Sequence, residues 1–492
     1  MKNANKISEL VFRFLLLLMP ICLFLSYHPV IKLGESESMY FELSVAEIWL
    51  VLFDIVGFVV MMQRKVLFRD CRKWWIWLLL PLWITLSVAW SLNRTRGLLT
   101  AGMMWCVAMA IYTIWTLRDM FDARFREKWW KWFWGATLAV CAWCVVQCIM
   151  DLTGMPQSCS LLCDGCTYRM FGFPHPNGFA IEPQFMGNLL LAPAMVGVWL
   201  FLGKRQKIGW LAFVVIMTLF LTFSRGAIYA FLVGMLFMSG YVMAKTSQKK
   251  REATWKRVGV TWGLVVGAFV MSLVTQGVMA EVSPTGDTFS GGVAKVVSHL
   301  SLGIIDLKYG DKTENDAVKE SVEKSVEKPV EESVEMSGDS SRNGSEVGNK
   351  EEAVFDGYVA ESTDTRVRLS GAAIKVWSSD VKTMAVGVGL GGAGQALYNN
   401  NLSPAPREIV QNEYASLLLE TGILGVLLAI ISMVVVVRCL LKNRINVELI
   451  LSLLVAYGVS LMFFSGLPNA LHVYLMPIVL MIMAMRKKSE KA

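Results

Sequence analysis

Read for apolar and polar positions, the chain alternates long hydrophobic runs with short polar connections, and one connection is unlike the rest. Twelve runs approach the length of a membrane-crossing helix: 10–27, 44–62, 74–91, 98–117, 130–150, 185–203, 208–222, 226–243, 258–279, 413–438, 447–464 and 470–485. A hydrocarbon core about 30 Å thick takes about 20 apolar residues per crossing, and a helix satisfies every backbone donor and acceptor there. The seventh run is short and the tenth long. Between about Glu281 and Gln411 the hydrophobicity breaks for roughly 130 residues, the one stretch able to build a structure outside a bilayer. The pattern predicts an all-α polytopic membrane protein in three parts: nine helices over 1–279, a large external loop over 280–412, and three helices with a polar tail over 413–492. The first run lacks a small-residue cleavage site and is followed by further runs, so it reads as a retained helix.

Composition agrees with this pattern. Hydrophobic residues make up 55% of the chain and charged residues 17%, with mean hydropathy +0.49, which excludes an ordinary soluble domain. Lys and Arg sort by alternate connections. One set holds Arg64, Lys65, Arg69, Arg72 and Lys73, then the basic residues within 118–131, 204–207, 245–257 and 438–444, and Arg486, Lys487 and Lys488. The positive-inside rule makes that set cytoplasmic. The opposite set holds the acidic stretch from Glu35 to Glu42 and the long loop, so both termini are expected inside and the loop outside. The net charge of +8 arises mainly from the cytoplasmic anchors at an anionic lipid surface, and calls for membrane lipids as partners but for no nucleic acid.

Of the ten cysteines, Cys22, Cys106, Cys141, Cys144 and Cys148 lie in apolar runs, where a thiol packs as a small apolar group. Cys159, Cys163 and Cys166 share an external connection and allow one disulfide with one thiol left over. Zinc would want four ligands, which these thiols reach only with His175 added, and no metal is expected. Residues 311–350 carry a degenerate four-residue repeat, VKES-VEKS-VEKP-VEES-VEMS, rich in Glu, Lys and Ser and without an aromatic residue. With so little to bury against the ordering entropy, it reads as a disordered or loosely helical insertion.

Beyond Phe355 ordered structure is expected again. Val367, Ala373, Ile374 and Trp377 predict one face of a short helix, with Asp364 or Thr365 as N-cap. Arg366 and Arg368 then fall in its first turn, which opposes the helix dipole and suggests another partner for them. Gly387, Gly389, Gly391, Gly392 and Gly394 permit positive φ and close backbone approach. No GKS or GKT and no strand-helix context accompany them, so a phosphate loop or dinucleotide fold is rejected, and a tight turn on the bilayer surface is expected. Outside the repeat, the external arginines are Arg94, Arg96, Arg169, Arg225, Arg366, Arg368 and Arg407.

Several of these motifs occur in a recognisable order. SRGA at 224–227 is followed by the long loop with TRVRLSGAAIKVW and GVGLGG, then by NEYASLLLETGILG, and upstream stand RMFGFPHPNGFA at 169–180 and EPQFMGN. This order resembles the O-antigen ligase and O-antigen polymerase superfamily, over 169–425 in motifs and over the whole chain in topology. The resemblance implies a GT-C-like glycosyltransferase of a bacterial cytoplasmic (inner) membrane. Such an enzyme transfers a glycan from an undecaprenyl-pyrophosphate carrier to a hydroxyl acceptor, lipid A-core in the ligases, on the periplasmic side. It also implies that neither a nucleotide sugar, a metal nor another cofactor is needed. The leaving lipid diphosphate builds negative charge, which guanidinium groups suit because they stay protonated and offer paired donors. On motif position Arg225 and Arg366 are the pyrophosphate-binding residues, with Arg368, Arg169, Arg94 and Arg96 as further candidates.

One departure concerns the acceptor. The ligases usually carry a histidine before the Asn at the start of the helix after the loop, and here that place is Gln411. A glutamine hydrogen-bonds but takes no proton at neutral pH. Either Gln411 orients the acceptor without a base, or a proton goes to Glu413, to Glu182 or to His175. The same substitution leans toward a polymerase, whose acceptor is another lipid-linked repeat unit. A lipid or polysaccharide transporter is the reading from a different class. Against it stand the lack of an internal repeat and the scarcity of charge inside the runs, Asp54 and Glu47 apart.

Overall fold

In the computed structural model the described residues are 2–25, 30–32, 40–42, 44–69, 75–152, 168–169, 174–180, 182–203, 208–282, 288–301, 365–406, 408–442, 446–465 and 471–484. The repeat at 311–350, Cys159, Cys163, Cys166, Arg407 and the expected N-cap Asp364 lie outside them.

Helices dominate, apart from strands of two or three residues. They are α1 (Lys2–Phe24), α2 (Val45–Gln63), α3 (Leu79–Ser87), α4 (Arg94–Thr116), α5 (Ala123–Leu152), α6 (Pro183–Leu202), α7 (Gly209–Leu221), α8 (Arg225–Lys245), α9 (Arg251–Val282) and α10 (Phe289–Leu300). After the undescribed stretch come α11 over 365–377, then α12 (Val381–Val386), α13 (Ala393–Asn399), α14 (Glu413–Lys442), α15 (Val447–Ser460) and α16 (Leu471–Ala484). Eight helices are long and apolar enough to cross a membrane: α1, α2, α4, α5, α6, α8, α9 and α14. The apolar helices α3, α7, α15 and α16 are shorter. Every predicted apolar run thus coincides with a helix, and the chain is consistent with a polytopic membrane protein.

The chain divides into two compact units. The larger holds Met1–Tyr168, His175–Ser272 and Asp364–Ala492, so the segment from Asp364 onward folds with the helix bundle. At its centre is α6, buried nearly all round and packed by α7, α8, α15 and α16. A helix this apolar has no polar face to show to water, and its small residues let neighbours come close: a Cβ on Gly197 would lie 3.0 Å from that of Ala212. In contrast α14 leaves Ile423, Leu424, Leu427 and Ile430 exposed, a contiguous apolar face suited to lipid. Glu47 is absorbed locally, since Ser44 and Glu47 cap the start of α2 reciprocally. The smaller unit holds Arg169–Pro174 and Leu273–Thr363. Within it α10 folds back on the last turns of α9, with Gly277 against Phe289 and Gly292 against Ala280.

The helix predicted around Arg366 is present, but its buried face differs from the expected one. Leu369, Ala372, Ala373 and Val376 are buried, while Val367 and Ile374 are 67% and 50% exposed. Two apolar stripes compete on this helix, and α13, Val410 and the first turns of α14 supply neighbours to only one of them.

Candidate functional site

The site begins where apolar helices start. Pro183 occupies the first position of α6, where a missing N–H leaves no helical bond unmade, and places Gln184 in the first turn. Its Nε2 donates to the carbonyl of Phe463, in the turn after α15, at 3.2 Å. Arg366, in the first turn of α11, donates from Nη2 to Gln184 Oε1 at 3.0 Å and from Nε to Gln411 Oε1 at 2.6 Å. Charge-assisted bonds from both sides fix the plane of the guanidinium. Gln411 directly precedes the residues that begin α14. Asn412 Oδ1 accepts the N–H groups of Tyr414 and Ala415, both at 3.1 Å, and so caps α14. The Glu413 N–H donates to the Leu461 carbonyl at 2.9 Å, and Tyr474 Oη donates to the Glu413 carboxylate at 3.4 Å.

Arg225 arrives from the adjoining turn. Between α7 and α8, Phe223 has φ +52°, a left-handed conformation that costs a bulky residue about 1–2 kcal/mol. The His175 ring stands edge-on to it, centroids 4.5 Å apart. This sharp turn makes Arg225 the first residue of α8 and buries it to 6% exposure. Two contacts fix the turn: Ser224 fills the space beside Gly187, and Phe463 fills the space beside Gly226. The Phe463 residue that receives Gln184 is therefore the one that abuts the residue after Arg225. Upstream, Gln147 clamps the PNG turn, donating to Asn177 Oδ1 at 2.8 Å and accepting from the Gly178 N–H at 2.8 Å.

The glycine run is buried by protein, packed against the backbone of α14 and of the turn before α4. Val388 and Gly389 donate to the carbonyls of Leu419 and Glu420, each at 2.9 Å, and Trp83 Nε1 donates to that of Thr421 at 3.1 Å. These carbonyls accept from outside the helix because α14 kinks at Gly422, φ 65° and ψ −173°. Ser91 Oγ donates to the Leu390 carbonyl at 2.7 Å, and the Leu390 N–H donates to Ser87 Oγ at 3.2 Å. The buried Glu420 carboxylate accepts from the Ala393 N–H at 3.3 Å and lies in the field of Arg96. Both line a cavity of about 20 Å³, room for one water.

The predicted residues thus separate. Arg366 and Gln411 meet, Glu413 comes two residues later, and Arg225 stands in the neighbouring turn. Arg96 belongs with Glu420 and the glycine run, while Arg94 and Arg368 are exposed. Arg169 ends a two-residue strand, Tyr168–Arg169, and its side chain lies outside the described residues. Glu182 precedes α6 without capping it, and His175 is buried against Phe223. Sequence reasoning missed Gln184 and Tyr474; the signal for the first was a polar residue in the first turn of an otherwise apolar helix. Elsewhere in the unit, an apolar groove of about 480 Å³ runs between α1 and α5, floored by Gly135, Ala136 and Ala139 and walled by Phe24, Trp132 and Phe179.

No protein-family profile matches this chain, and no curated protein sequence is similar to it.

Proposed function

We propose that this chain is a glycosyltransferase of a bacterial cytoplasmic membrane, with twelve crossings, a GT-C-like architecture, both termini in the cytoplasm and its site on the periplasmic face. The donor is a glycan on undecaprenyl pyrophosphate and the acceptor a hydroxyl of lipid A-core, as in an O-antigen ligase. The observation that carries the reading is the meeting of Arg366 with Gln411 and Gln184, beside the buried Arg225. Guanidiniums at such a place offset the charge that grows on a departing diphosphate. In the step itself the acceptor oxygen bonds to the anomeric carbon, the bond from that carbon to the diphosphate oxygen breaks, and the hydroxyl proton passes to the Glu413 carboxylate. The energy resides in the donor linkage, so no nucleotide is needed outside the membrane. The apolar groove beside α5 suits a prenyl chain.

A second reading, the polymerase, is favoured by one residue: Gln411 takes no proton, and its amide oxygen is occupied by Arg366. Deletion in the source bacterium followed by gel analysis of surface glycans tests both. Uncapped lipopolysaccharide with accumulating carrier-linked polymer marks a ligase, and a cap of a single repeat marks a polymerase. An unchanged glycan pattern overturns the proposal.

A further inference from the structure

We infer that Gln184 sets the spacing of Arg366 and Arg225, and thereby the preference of the site for a lipid diphosphate over a lipid monophosphate. This deepens the function proposed above and rests on it. The two arginines begin different helices, and one amide joins them by a short route. Arg366 Nη2 donates to Gln184 Oε1 at 3.0 Å, Gln184 Nε2 donates to the Phe463 carbonyl at 3.2 Å, and Phe463 Cβ abuts Gly226, next to Arg225. Glutamine suits this bridge because one side chain ends in both an acceptor and a donor; leucine has neither, and asparagine is a methylene too short to reach both ends.

The bridge is rigid at its base. The Gln184 carbonyl accepts from Asn188 Nδ2 at 2.9 Å. The Asn188 amide oxygen accepts from Ser460 Oγ, and its carbonyl accepts from Tyr457 Oη at 3.2 Å. Asn188 and Ser460 are each 1% exposed, and Ser460 ends α15 three residues before Phe463. Both ends of the bridge are thus tied to one buried polar junction between α6 and α15. A single guanidinium pairs with one phosphate group. Favouring two linked phosphates takes a second cation at a fixed separation, and fixing it is the part Gln184 plays. It is a positioning residue, since it acts through Arg366.

The test uses the full chain in lipid nanodiscs with two probes, undecaprenyl diphosphate and undecaprenyl monophosphate, whose affinities are read by native mass spectrometry. The wild-type chain is expected to favour the diphosphate by more than about tenfold, and Gln184→Leu to lose about tenfold on the diphosphate while the monophosphate stays within about threefold. Gln184→Asn, which keeps the charge and both amide groups, is expected to narrow the preference likewise and carries the test if the leucine variant fails to fold. A folded variant with the full wild-type preference overturns the inference. So does an equal loss on both probes, the mark of a merely structural residue. If Arg366→Ala and Arg225→Ala lose the preference while the Gln184 variants keep it, the inference alone fails. If the wild-type chain shows no preference, the proposed function fails with it.

Discussion

Replacing Gly387 by alanine strikes the crossing that holds the glycine run in the bundle. At φ 73° and ψ −177°, Gly387 occupies a backbone region that is in practice open only to glycine. A Cβ there would stand 2.4 Å from the carbonyl carbon and oxygen of Glu420 and 2.6 Å from the Thr421 nitrogen. The contact is reciprocal: a Cβ on Gly422 would meet the Ala385 carbonyl oxygen at 2.3 Å. Backbone strain amounts to about 1–3 kcal/mol. Parting the two backbones weakens the bonds from Val388 and Gly389, about 0.5–1.5 kcal/mol each, so the expected loss is about 2–6 kcal/mol. Chemical unfolding of the detergent-purified chain reads it, with Gly371→Ala as the control. Gly371 lies on α11 with no atom within 4 Å of a Cβ, and alanine there should stabilise by about 0.5–1 kcal/mol. The Gly387→Ala, Gly422→Ala double variant should lose less than the sum of the singles, because both report one contact. A loss below about 1 kcal/mol for Gly387→Ala would refute the reasoning.

Asn412→Ala removes the acceptor for two N–H groups at the start of α14 and should lower stability by about 1 kcal/mol in the same unfolding assay. Asp54 has two buried carboxylate oxygens without a hydrogen-bond partner among the described residues, so Asp54→Leu should raise stability by about 1–3 kcal/mol; a lower unfolding midpoint would show that the carboxylate is needed. Asp380 caps α12, and bonds from the Thr383 hydroxyl at 2.6 Å and N–H at 3.0 Å hold its carboxyl below the ordinary 3.8. A folded value below the unfolded one means the cap is at full strength above the unfolded value and is lost as pH falls through the folded one. Amide-exchange protection over 381–386, taken relative to the intrinsic exchange rate at each pH, should therefore fall below about pH 4, and Asp380→Asn should abolish that step.

The helices were legible because apolar runs of this length leave the backbone one way to satisfy itself. What the sequence hid was pairing across distance. Val367 and Ile374 form as good an apolar stripe as Leu369 and Val376, and only the neighbours choose between them. The positive φ of Gly387 was foreseeable from residue type, but its burial depends on the kink at Gly422, a residue that reads as part of an unbroken helix. Arg366 and Gln411 were each named for their own chemistry, but not as partners, and Gln184 lies 182 residues from its arginine. Its place in the first turn of an apolar helix marks it as a polar exception, but nothing local says which arginine it meets. Arg94, Arg96 and Arg368 looked equivalent to Arg225 on charge and side of the membrane, and burial is what separates them.

Glycan transfer by the purified chain in nanodiscs, from an undecaprenyl-diphosphate-linked donor, tests most directly whether these arginines receive the leaving diphosphate. Arg366→Ala and Arg225→Ala are each expected to slow transfer by at least about 100-fold at unchanged membrane abundance. Lys375→Ala, on the exposed face of the same α11, should stay within about twofold of the wild-type rate. Wild-type rates from both arginine variants would contradict the account.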